Sequence, residues 1–274
     1  MLGPLQQAIL IGQSAAKPAR NGWKVQRLPL SMLTTEEKLL VGCVLGDGSL
    51  NRRHQYQNVC SLKLVHTTPQ LSYLEWKVNQ IQPILKSKAK ILRSVNNFGI
   101  EYFSWESGFS SFVHLYNLLY VNKKKTFSFD VLKELGPKEL ALFWCDDGGV
   151  VKSLRNKVDP RTGKAYPNLL QETYGNLAVY EPKEETEAVA SWIQDLTKER
   201  PKCVLHKKTN LYYLRFNKKQ LTALVSCIEE YTPQCMTSKL DLTPIPLSER
   251  AQVRKQRAIR RHECAATDKV DDIV

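Results

Sequence analysis

The chain has 274 residues, 42% of them hydrophobic, which is enough for one large domain or two closely packed smaller ones. Its 40 Lys and Arg against 27 Asp and Glu give a formal net charge of +13, which favours a polyanionic partner such as nucleic acid over a role in solubility alone. No apolar run is long enough to span a bilayer, and seven scattered cysteines without a Cys-x-x-Cys pair argue against a zinc site or a disulfide framework.

A basic extension at residues 1–33 precedes the first predicted element and contains no acidic residue. Three interpretations stay open for it: an organellar leader, a basic arm that lies on a nucleic acid, or a read-through product of an upstream reading frame. The cysteine usage favours a reducing compartment, so the expected location is a mitochondrion, a chloroplast or the bacterial cytoplasm.

A first structural repeat is predicted over residues 34–130. Thr34 and Glu37 form a capping box for a helix that continues to Gly46, and Gly48 ends it. Hydrophobic spacing predicts the elements that follow. They are a strand at Ser61–Leu64, a helix at Gln70–Leu85, strands at Ile91–Val95 and Tyr102–Trp105, and a helix at Phe112–Leu119.

A second repeat, predicted over residues 131–242, follows the same order. Gly136 and Pro137 open a helix that carries Leu140–Asp147 and stops at Gly148. The later elements are a strand at Leu177–Tyr180, a helix at Pro182–Leu196, strands at Val204–His206 and Tyr212–Phe216, and a helix at Lys219–Glu230. The sequence therefore predicts an α+β protein of two pseudo-symmetric αββαββα repeats, each with an antiparallel sheet.

Two basic segments complete the prediction. Residues Lys152–Tyr166 lengthen the second repeat, and their turn residues indicate an extended basic hairpin. A basic tail follows at residues 243–274, with arginines at roughly helical intervals. Such a tail is usually a solvated segment, although folding onto a phosphate backbone is an alternative.

Two apolar segments one hundred residues apart both end in Asp-Gly, namely Leu40–Gly48 (LVGCVLGDG) and Leu140–Gly148 (LALFWCDDG). Gly42 and Gly46 in the first segment are one helical turn apart, so another helix can approach its backbone closely. We expect the two helices to pack side by side. The second helix lacks small residues at both of the corresponding positions, which changes the expected separation of the helices.

Asp47 and Asp147 occupy matching positions at the ends of these helices. The negative end of a helix dipole disfavours a carboxylate, and two carboxylates brought together there repel each other, so a divalent cation is expected between them. Asp146 competes with Asp147 for this role, but the alignment of the two repeats matches Asp146 with Gly46. One Asp-Gly pair would be only a helix-stop signal, whereas a matched pair indicates chemistry.

The two segments resemble the motif of the LAGLIDADG homing endonucleases, and the resemblance extends over most of Thr34–Leu242. It is closest to the single-chain, two-repeat branch of that family. The resemblance implies a saddle of two antiparallel sheets that binds a long double-stranded DNA target as a monomer, and metal-dependent hydrolysis of both strands. The implied cofactor is Mg²⁺, with Asp47, Asp147, Gly46 and Asp146 as the metal-binding residues.

The same branch places a lysine near the cleavage site at the end of each repeat. Tyr120–Thr126 (YVNKKKT) and Gln234–Leu240 (QCMTSKL) are similar to these two stretches, so the resemblance implies catalytic roles for Lys125 and Lys239. A lysine there would neutralise charge on the phosphate or help to orient the attacking water. His66 opens a further similar stretch, HTTPQLSYLEWK, and is expected to be structural or to contact DNA.

Strands that lie in a DNA major groove would read bases with side chains at alternate, outward-facing positions. The basic candidates for DNA binding are Arg52, Arg53, Lys63, Arg93, Lys152, Arg155, Lys157, Arg161, Lys164, His206 and Arg215. Two alternative functions stay open. One is an intron maturase that binds its host intron RNA, and the other is a DNA-binding protein without cleavage, which the presence of both aspartates disfavours.

Overall fold

The computed structural model describes residues 33–52, 59–110, 113–158, 165–246, 248–250 and 252, and all of them lie in one unit that begins at Leu33. Within this part of the chain, no helix is both long enough and apolar enough to cross a membrane. Nearly all of the predicted N-terminal extension and most of the C-terminal tail lie outside the described residues, as do Arg53, Arg161 and Lys164.

The first repeat begins with the predicted capped helix and contains one four-stranded sheet. Its elements are α1 (Thr35–Leu45), β1 (Ser49–Asn51), β2 (Cys60–Thr67), a 3-10 turn (Thr68–Gln70), α2 (Leu71–Leu85), β3 (Leu92–Val95), β4 (Glu101–Phe109) and α3 (Val113–Leu119). The strands pair in the order β1-β2-β4-β3, and each neighbouring pair is antiparallel.

A short hairpin and a one-turn helix lead into the second repeat. Their bounds are β5 (Tyr120–Val121), β6 (Lys124–Lys125) and α4 (Phe129–Leu132). The second repeat consists of α5 (Pro137–Asp147), β7 (Gly148–Val158), β8 (Ala165–Glu181), α6 (Lys183–Thr197), β9 (Lys202–His206), β10 (Leu211–Phe216), α7 (Lys218–Ile228) and 3-10 segments at Glu229–Tyr231 and Gln234–Leu240. Its strand order, β7-β8-β10-β9, repeats that of the first sheet and confirms the predicted fold.

The helix starts follow from local capping. Thr34 and Glu37 exchange both hydrogen bonds of a capping box: the Thr34 amide donates to Glu37 Oε2 at 2.8 Å and the Glu37 amide donates to Thr34 Oγ1 at 3.2 Å. At α5, Pro137 occupies the first helical position, and the Gly136 amide donates to Glu139 Oε2 at 2.8 Å. Both motif helices are therefore fixed at their N-termini by residues that the sequence alone identifies.

The motif helices α1 and α5 pack directly against each other in the centre of the molecule. A Cβ atom added to Gly42 would lie 3.0 Å from both Glu139 Cγ and Leu142 Cδ1, which is tighter than ordinary van der Waals contact. A Cβ atom at Gly46 would lie only 2.1 Å from Oδ2 of Asp146. The first helix therefore has the small residues at this crossing, and the second fills the space with side chains.

Each sheet has one face covered by helices and one face directed away from them. On β2, Leu62 and Leu64 are fully buried, and Lys63 between them points to the opposite side. On β10, Leu214 and Phe216 are buried, and Arg215 points to the opposite side. We call the two sides of each sheet the helix-covered face and the open face.

Candidate active site at the ends of the two motif helices

The two predicted aspartates lie where α1 and α5 end and the sheets begin. Asp47 follows Gly46, the C-cap of α1, and Asp147 is the last residue of α5. The side chain of Asp47 is 38% exposed and Asp147 is partly buried. Because β1 and β7 start immediately afterwards, each aspartate is held between a buried helix and a paired strand.

The carboxylates of this cluster are harder to ionise than ordinary aspartates. Burial raises the pKa of Asp147 to about 7, and the negative charges of Asp47 and Asp146 contribute to the increase. The pKa of Asp47 is also raised, first by burial and then by Asp146. Lys125 and Lys239 oppose the increase at Asp147. A cation bound beside these two carboxylates would favour their ionised forms.

The two predicted lysines bind the carbonyl ends of the motif helices. Lys125 Nζ donates to the main-chain carbonyls of Val44 at 3.0 Å, Leu45 at 3.0 Å and Gly46 at 2.9 Å. Lys239 Nζ donates to the main-chain carbonyl of Asp146 at 2.9 Å. Each lysine thus satisfies carbonyls that a helix C-terminus leaves without partners, and each binds the motif helix of its own repeat.

Hydrogen bonds to β1 and α5 fix the two lysine-bearing segments. The Leu50 amide donates to the hydroxyl of Tyr120 at 3.1 Å, which ties the β5–β6 hairpin to β1. The indole of Trp144 on α5 donates to the carbonyl of Lys239 at 3.2 Å. Burial lowers the pKa of Lys125 and Lys239, and the surrounding aspartates partly offset this decrease. The structure therefore brings Asp47, Asp147 and both lysines into one site.

Asp146 is in the same cluster, but its side chain is fully buried and bound to Lys77 of α2. Lys77 Nζ lies 2.5 Å from Oδ1 and 2.8 Å from Oδ2 of Asp146, and the lysine side chain is itself fully buried. Oδ2 of Asp146 also accepts a hydrogen bond from the Asp47 amide at 3.1 Å. The carboxylate of Asp146 is therefore engaged within the protein, and its main-chain carbonyl lies beside Lys239.

His66 connects Lys77 to Asp47. Its Nε2 is 3.3 Å from Lys77 Nζ, and its Nδ1 is 3.3 Å from Gln70 Oε1 and 3.6 Å from Asp47 Oδ2. An ammonium only donates, so Nε2 is the acceptor and Nδ1 carries the proton. Burial, with the charge of Lys77, lowers the pKa of His66 and keeps the ring neutral. The Nδ1–H therefore donates to Gln70, and the ring edge lies beside the Asp47 carboxylate.

Three side chains of this cluster have the spacing of metal ligands. Asp47, His66 and Asp146 each offer one ligand atom, and these atoms lie within 4.8 Å of one another. Lys77 already contacts both carboxylate oxygens of Asp146, so an ammonium stands where this group would hold a cation. Asp47 is the member of the group that is exposed and open to a metal ion.

The structure distributes the predicted basic residues over both faces of the sheets. Three of them lie on open faces: Lys63, His206 and Arg215. For His206 and Arg215 this follows from the pairing of β10 with β9 and β8. Arg93 pairs with Phe103, which pairs with His66, so Arg93 lies on the helix-covered face. Its guanidinium is bound to Glu101.

The other predicted basic residues of the described chain differ in their positions and partners. Lys152 pairs in the ladder with Thr173, on the helix-covered face, and its ammonium lies 2.6 Å from Asp241 Oδ2. Arg52 Nη1 donates to Asn117 Oδ1 at 3.4 Å. Arg155 and Lys157 lie on β7, in the ribbon that the sequence indicates as a basic hairpin.

Two groups in the site region have no counterpart in the sequence prediction. Lys77 falls on the apolar stripe of α2 with Leu74, Val78 and Ile81, and a lysine in such a stripe is the sequence signal that identifies it. On the second sheet, Lys202 pairs with Arg215 across the open face. The Arg215 guanidinium lies over the ring of Tyr174, 4.1 Å from its centroid.

Two αββαββα repeats that join at their motif helices, with one aspartate from each at the junction, define a single-chain, two-repeat protein with a shared carboxylate site. The chain belongs to the LAGLIDADG DNA endonuclease family, whose sequence profile matches residues 37–224.

Individual relatives cover the chain to different extents. The RecA protein of Mycobacterium gastri is 29% identical over 150 residues, 54% of this chain and 34% of that protein. RecA of Mycolicibacterium chitae is 26% identical over 131 residues, 46% of this chain and 30% of that protein. The chain thus spans about a third of the length of these relatives. The homing endonuclease I-WcaI, solved bound to its DNA recognition sequence, has a similar fold, with a TM-score of 0.59 and 18% identity over 86% of this chain and 97% of that one.

Proposed function

We propose that this chain is a site-specific homing endonuclease that hydrolyses both strands of a long double-stranded DNA target with divalent metal ions at Asp47 and Asp147. The observation that carries the proposal is the meeting of these aspartates, from two copies of one motif, at a junction where burial and then the charge of Asp47 raise the pKa of Asp147. Because one chain supplies both motifs, it acts as a monomer.

The donors at the junction fit Mg²⁺, a hard cation that prefers oxygen ligands. Asp47 and Asp147 supply carboxylate oxygens, and the main-chain carbonyls of Gly46 and Asp146 stand directly before them in the chain. Each carbonyl accepts one hydrogen bond, from Lys125 or Lys239, and has a second lone pair for a cation. We assign these four residues as the metal-binding set. Bound ions would supply an activated water and stabilise the leaving oxygen of the cleaved strand.

Lys125 and Lys239 provide fixed positive charge beside the cleaved phosphates. The carbonyls of the motif helices hold both ammonium groups, so little reorganisation is needed when negative charge develops on a phosphate. Each lysine belongs to one repeat, and each therefore serves one half of the site.

The open faces of the sheets supply the DNA-binding surface. Lys63 pairs with Ser49, two residues after Asp47, and Asn176, the neighbour of Arg215, pairs with Gly149, two residues after Asp147. Lys63 and Arg215 would therefore contact the DNA nearest to the cuts, with Lys202 and His206 farther along the second sheet. The net charge of +13 favours binding to the phosphate backbone.

Selection of cleaved sites from a randomised DNA library with Mg²⁺ tests the proposal and yields the target. On that target, we expect Asp47→Asn and Asp147→Asn to abolish double-strand cleavage while they retain binding, because they remove metal ligands and leave the sheets intact. Cleavage is measured on labelled duplex, and binding is measured with Ca²⁺ in place of Mg²⁺.

Asp130→Asn is the matched control, because Asp130 is exposed and pairs only locally with Lys133 at 2.7 Å. This variant should cut like the wild type. Normal cleavage by either site variant would show that the assigned mechanism is wrong. Wild-type binding without cleavage would identify a DNA-binding protein, and binding of the host intron RNA with accelerated splicing would identify a maturase.

A further inference from the structure

The two repeats can be matched residue by residue through their sheets and helices. Ser49 lies two residues after Asp47 and pairs with Lys63, and Gly149 lies two residues after Asp147 and pairs with Asn176. This register matches His66 with Val179. The helices α2 and α6 both have fifteen residues, and four of the five buried positions of each helix coincide when Lys77 is matched with Val189.

Comparison of these positions reveals a polar network on one side of the junction only. The first repeat contributes His66 and Lys77, which connect Asp47 to Asp146. Their counterparts Val179 and Val189 are apolar and buried. The counterpart of Asp146 is Gly46, which has no side chain. The surroundings of Asp47 therefore differ from those of Asp147 in charge and hydrogen bonding.

The fold does not require this network. A buried ion pair carries a large desolvation cost, and well-packed apolar residues of similar volume often give equal or greater stability. The second repeat builds the same sheet and helix with valines at the two matching positions. The ion pair between Lys77 and Asp146 thus needs an explanation other than packing.

The contacts of the network end on Asp47. Oδ2 of Asp146 accepts the Asp47 amide at 3.1 Å and so fixes its main chain just after the end of α1. Nδ1 of His66 lies 3.6 Å from Oδ2 of Asp47, and its hydrogen bond to Gln70 Oε1 at 3.3 Å holds the ring beside that carboxylate. Lys77 holds both of these partners, since its ammonium contacts the two oxygens of Asp146 and Nε2 of His66. Three buried groups therefore act on one exposed aspartate.

We infer that Lys77 and His66 are positioning residues for Asp47, and that they make the two halves of the cleavage site unequal. This inference rests on the proposed nuclease function. It has a consequence for the reaction: disturbing the network changes the cleavage rate of one DNA strand more than that of the other. A loss of overall stability would instead slow both cuts together.

The test is strand-resolved, single-turnover cleavage of a duplex labelled separately on each strand. Two variants remove the network by exchanging residues between matched positions. His66→Val gives the first repeat the side chain of the second, and the charge-balanced double variant Lys77→Val with Asp146→Gly replaces both members of the ion pair with the residues at their matched positions, Val189 and Gly46. Each is expected to change the ratio of the two strand-cleavage rates by about ten-fold, the scale of a sub-ångström misplacement of a metal ligand. Nicked DNA should accumulate, with target affinity in Ca²⁺ unchanged.

Val179→Ala is the matched control, because Val179 is a buried apolar residue that occupies the position of His66 in the second repeat. It should leave the rate ratio unchanged. Equal slowing of both strands, or an unchanged ratio in both test variants, would overturn the inference while the nuclease function stands. A wild-type protein that cuts neither strand overturns the proposed function, and the inference falls with it.

Discussion

Asp147 gives the site a pH dependence whose sign follows from its surroundings. Its pKa is raised from the ordinary 3.8 to about 7, chiefly by burial, so the folded protein holds this proton more tightly than the unfolded chain does. Without metal, the stabilising effect is complete below about pH 4 and is lost as the pH rises through about 7. A metal ion must displace the same proton, so it binds better above that range.

Asp147→Asn removes the loss of stability that ionisation of this buried carboxyl causes at high pH. The metal-free variant should melt about 3 °C above the wild type at pH 8, a shift kept small because the site is partly solvated, and the difference should vanish toward pH 4. Thermal unfolding with EDTA at several pH values measures it. In the wild type, the increase in Tm on addition of Mg²⁺ should be larger at pH 8 than at pH 6.

Asp241→Asn is a control of opposite sign. The hydrogen bond from Lys152, with those from Thr243, lowers the pKa of Asp241 to about 2, so its contribution to stability is present above about pH 4 and is lost toward pH 2. The difference between this variant and the wild type should stay constant from pH 5 to pH 8. A similarly flat profile for Asp147→Asn would contradict the raised pKa.

The residues of the candidate site that could be predicted from the sequence are those that the internal repeat or the family resemblance identifies. Asp47 and Asp147 stand at matching positions in two visible copies of one motif, and both lysines follow from similar stretches. Lys77 could not be placed in this way. Its partner, Asp146, is 69 residues away in sequence, and only the crossing of α1 and α5 brings them together.

At the scale of elements, the β5–β6 hairpin has the specific task of delivering Lys125 to the end of α1. Its three consecutive lysines differ sharply in setting: Lys125 Nζ contacts three helix carbonyls, whereas Lys124 forms a surface ion pair with Glu181 at 2.7 Å. The Asn122–Lys123 turn has positive φ at both residues, which turns the chain back tightly enough for this contact.

Lys125→Met should reduce the rate of DNA cleavage by about a hundred-fold, because it removes a fixed positive charge beside the phosphate, and target affinity should be retained. Lys124→Met, one residue earlier, should cleave at nearly the wild-type rate. Single-turnover kinetics at saturating protein compare the two variants. Equal effects would mean that the hairpin acts only through its overall charge.

The elements show which structures local sequence can predict. The helices α1 and α5 start where Thr34 and Pro137 indicate, because capping depends on neighbouring residues. Strand lengths depend on pairing with distant residues, which local sequence does not show. The strand β8 is therefore longer than predicted: it runs over Ala165–Glu181, whereas the sequence predicts a strand at Leu177–Tyr180. The extended hairpin predicted at Lys152–Tyr166 is present, because β7 runs to Val158 and pairs there with the start of β8.

At the scale of the whole molecule, basic residues that look equivalent in the sequence lie on different faces of the two sheets. Arg215 lies on an open face, stacked on Tyr174 and beside Lys202. Arg93 lies on a helix-covered face and is bound to Glu101. Alternation along each strand is visible in the sequence, but the face that the helices cover is decided by tertiary packing.

Arg215→Ala should therefore weaken binding to the target by about ten-fold or more and relax specificity at one base position, as expected for loss of a base contact. Arg93→Ala should change affinity little, since its charge is already neutralised. Binding to targets with single base substitutions, at fixed salt concentration, distinguishes the two. A larger loss from Arg93→Ala would show that DNA does not lie along the open faces.

The fit between Gly46 and Asp146 determines which repeats can pair through their motif helices. The notch in one helix accepts the side chain of the other, since a Cβ at Gly46 would come within 2.4 Å of Asp146 Cβ. A symmetric molecule made from two second repeats would force two such side chains into space for one, with Val189 in place of the neutralising amine. Two second repeats therefore could not pair at this contact without a smaller residue in place of Asp146, whereas two first repeats would meet there through glycines.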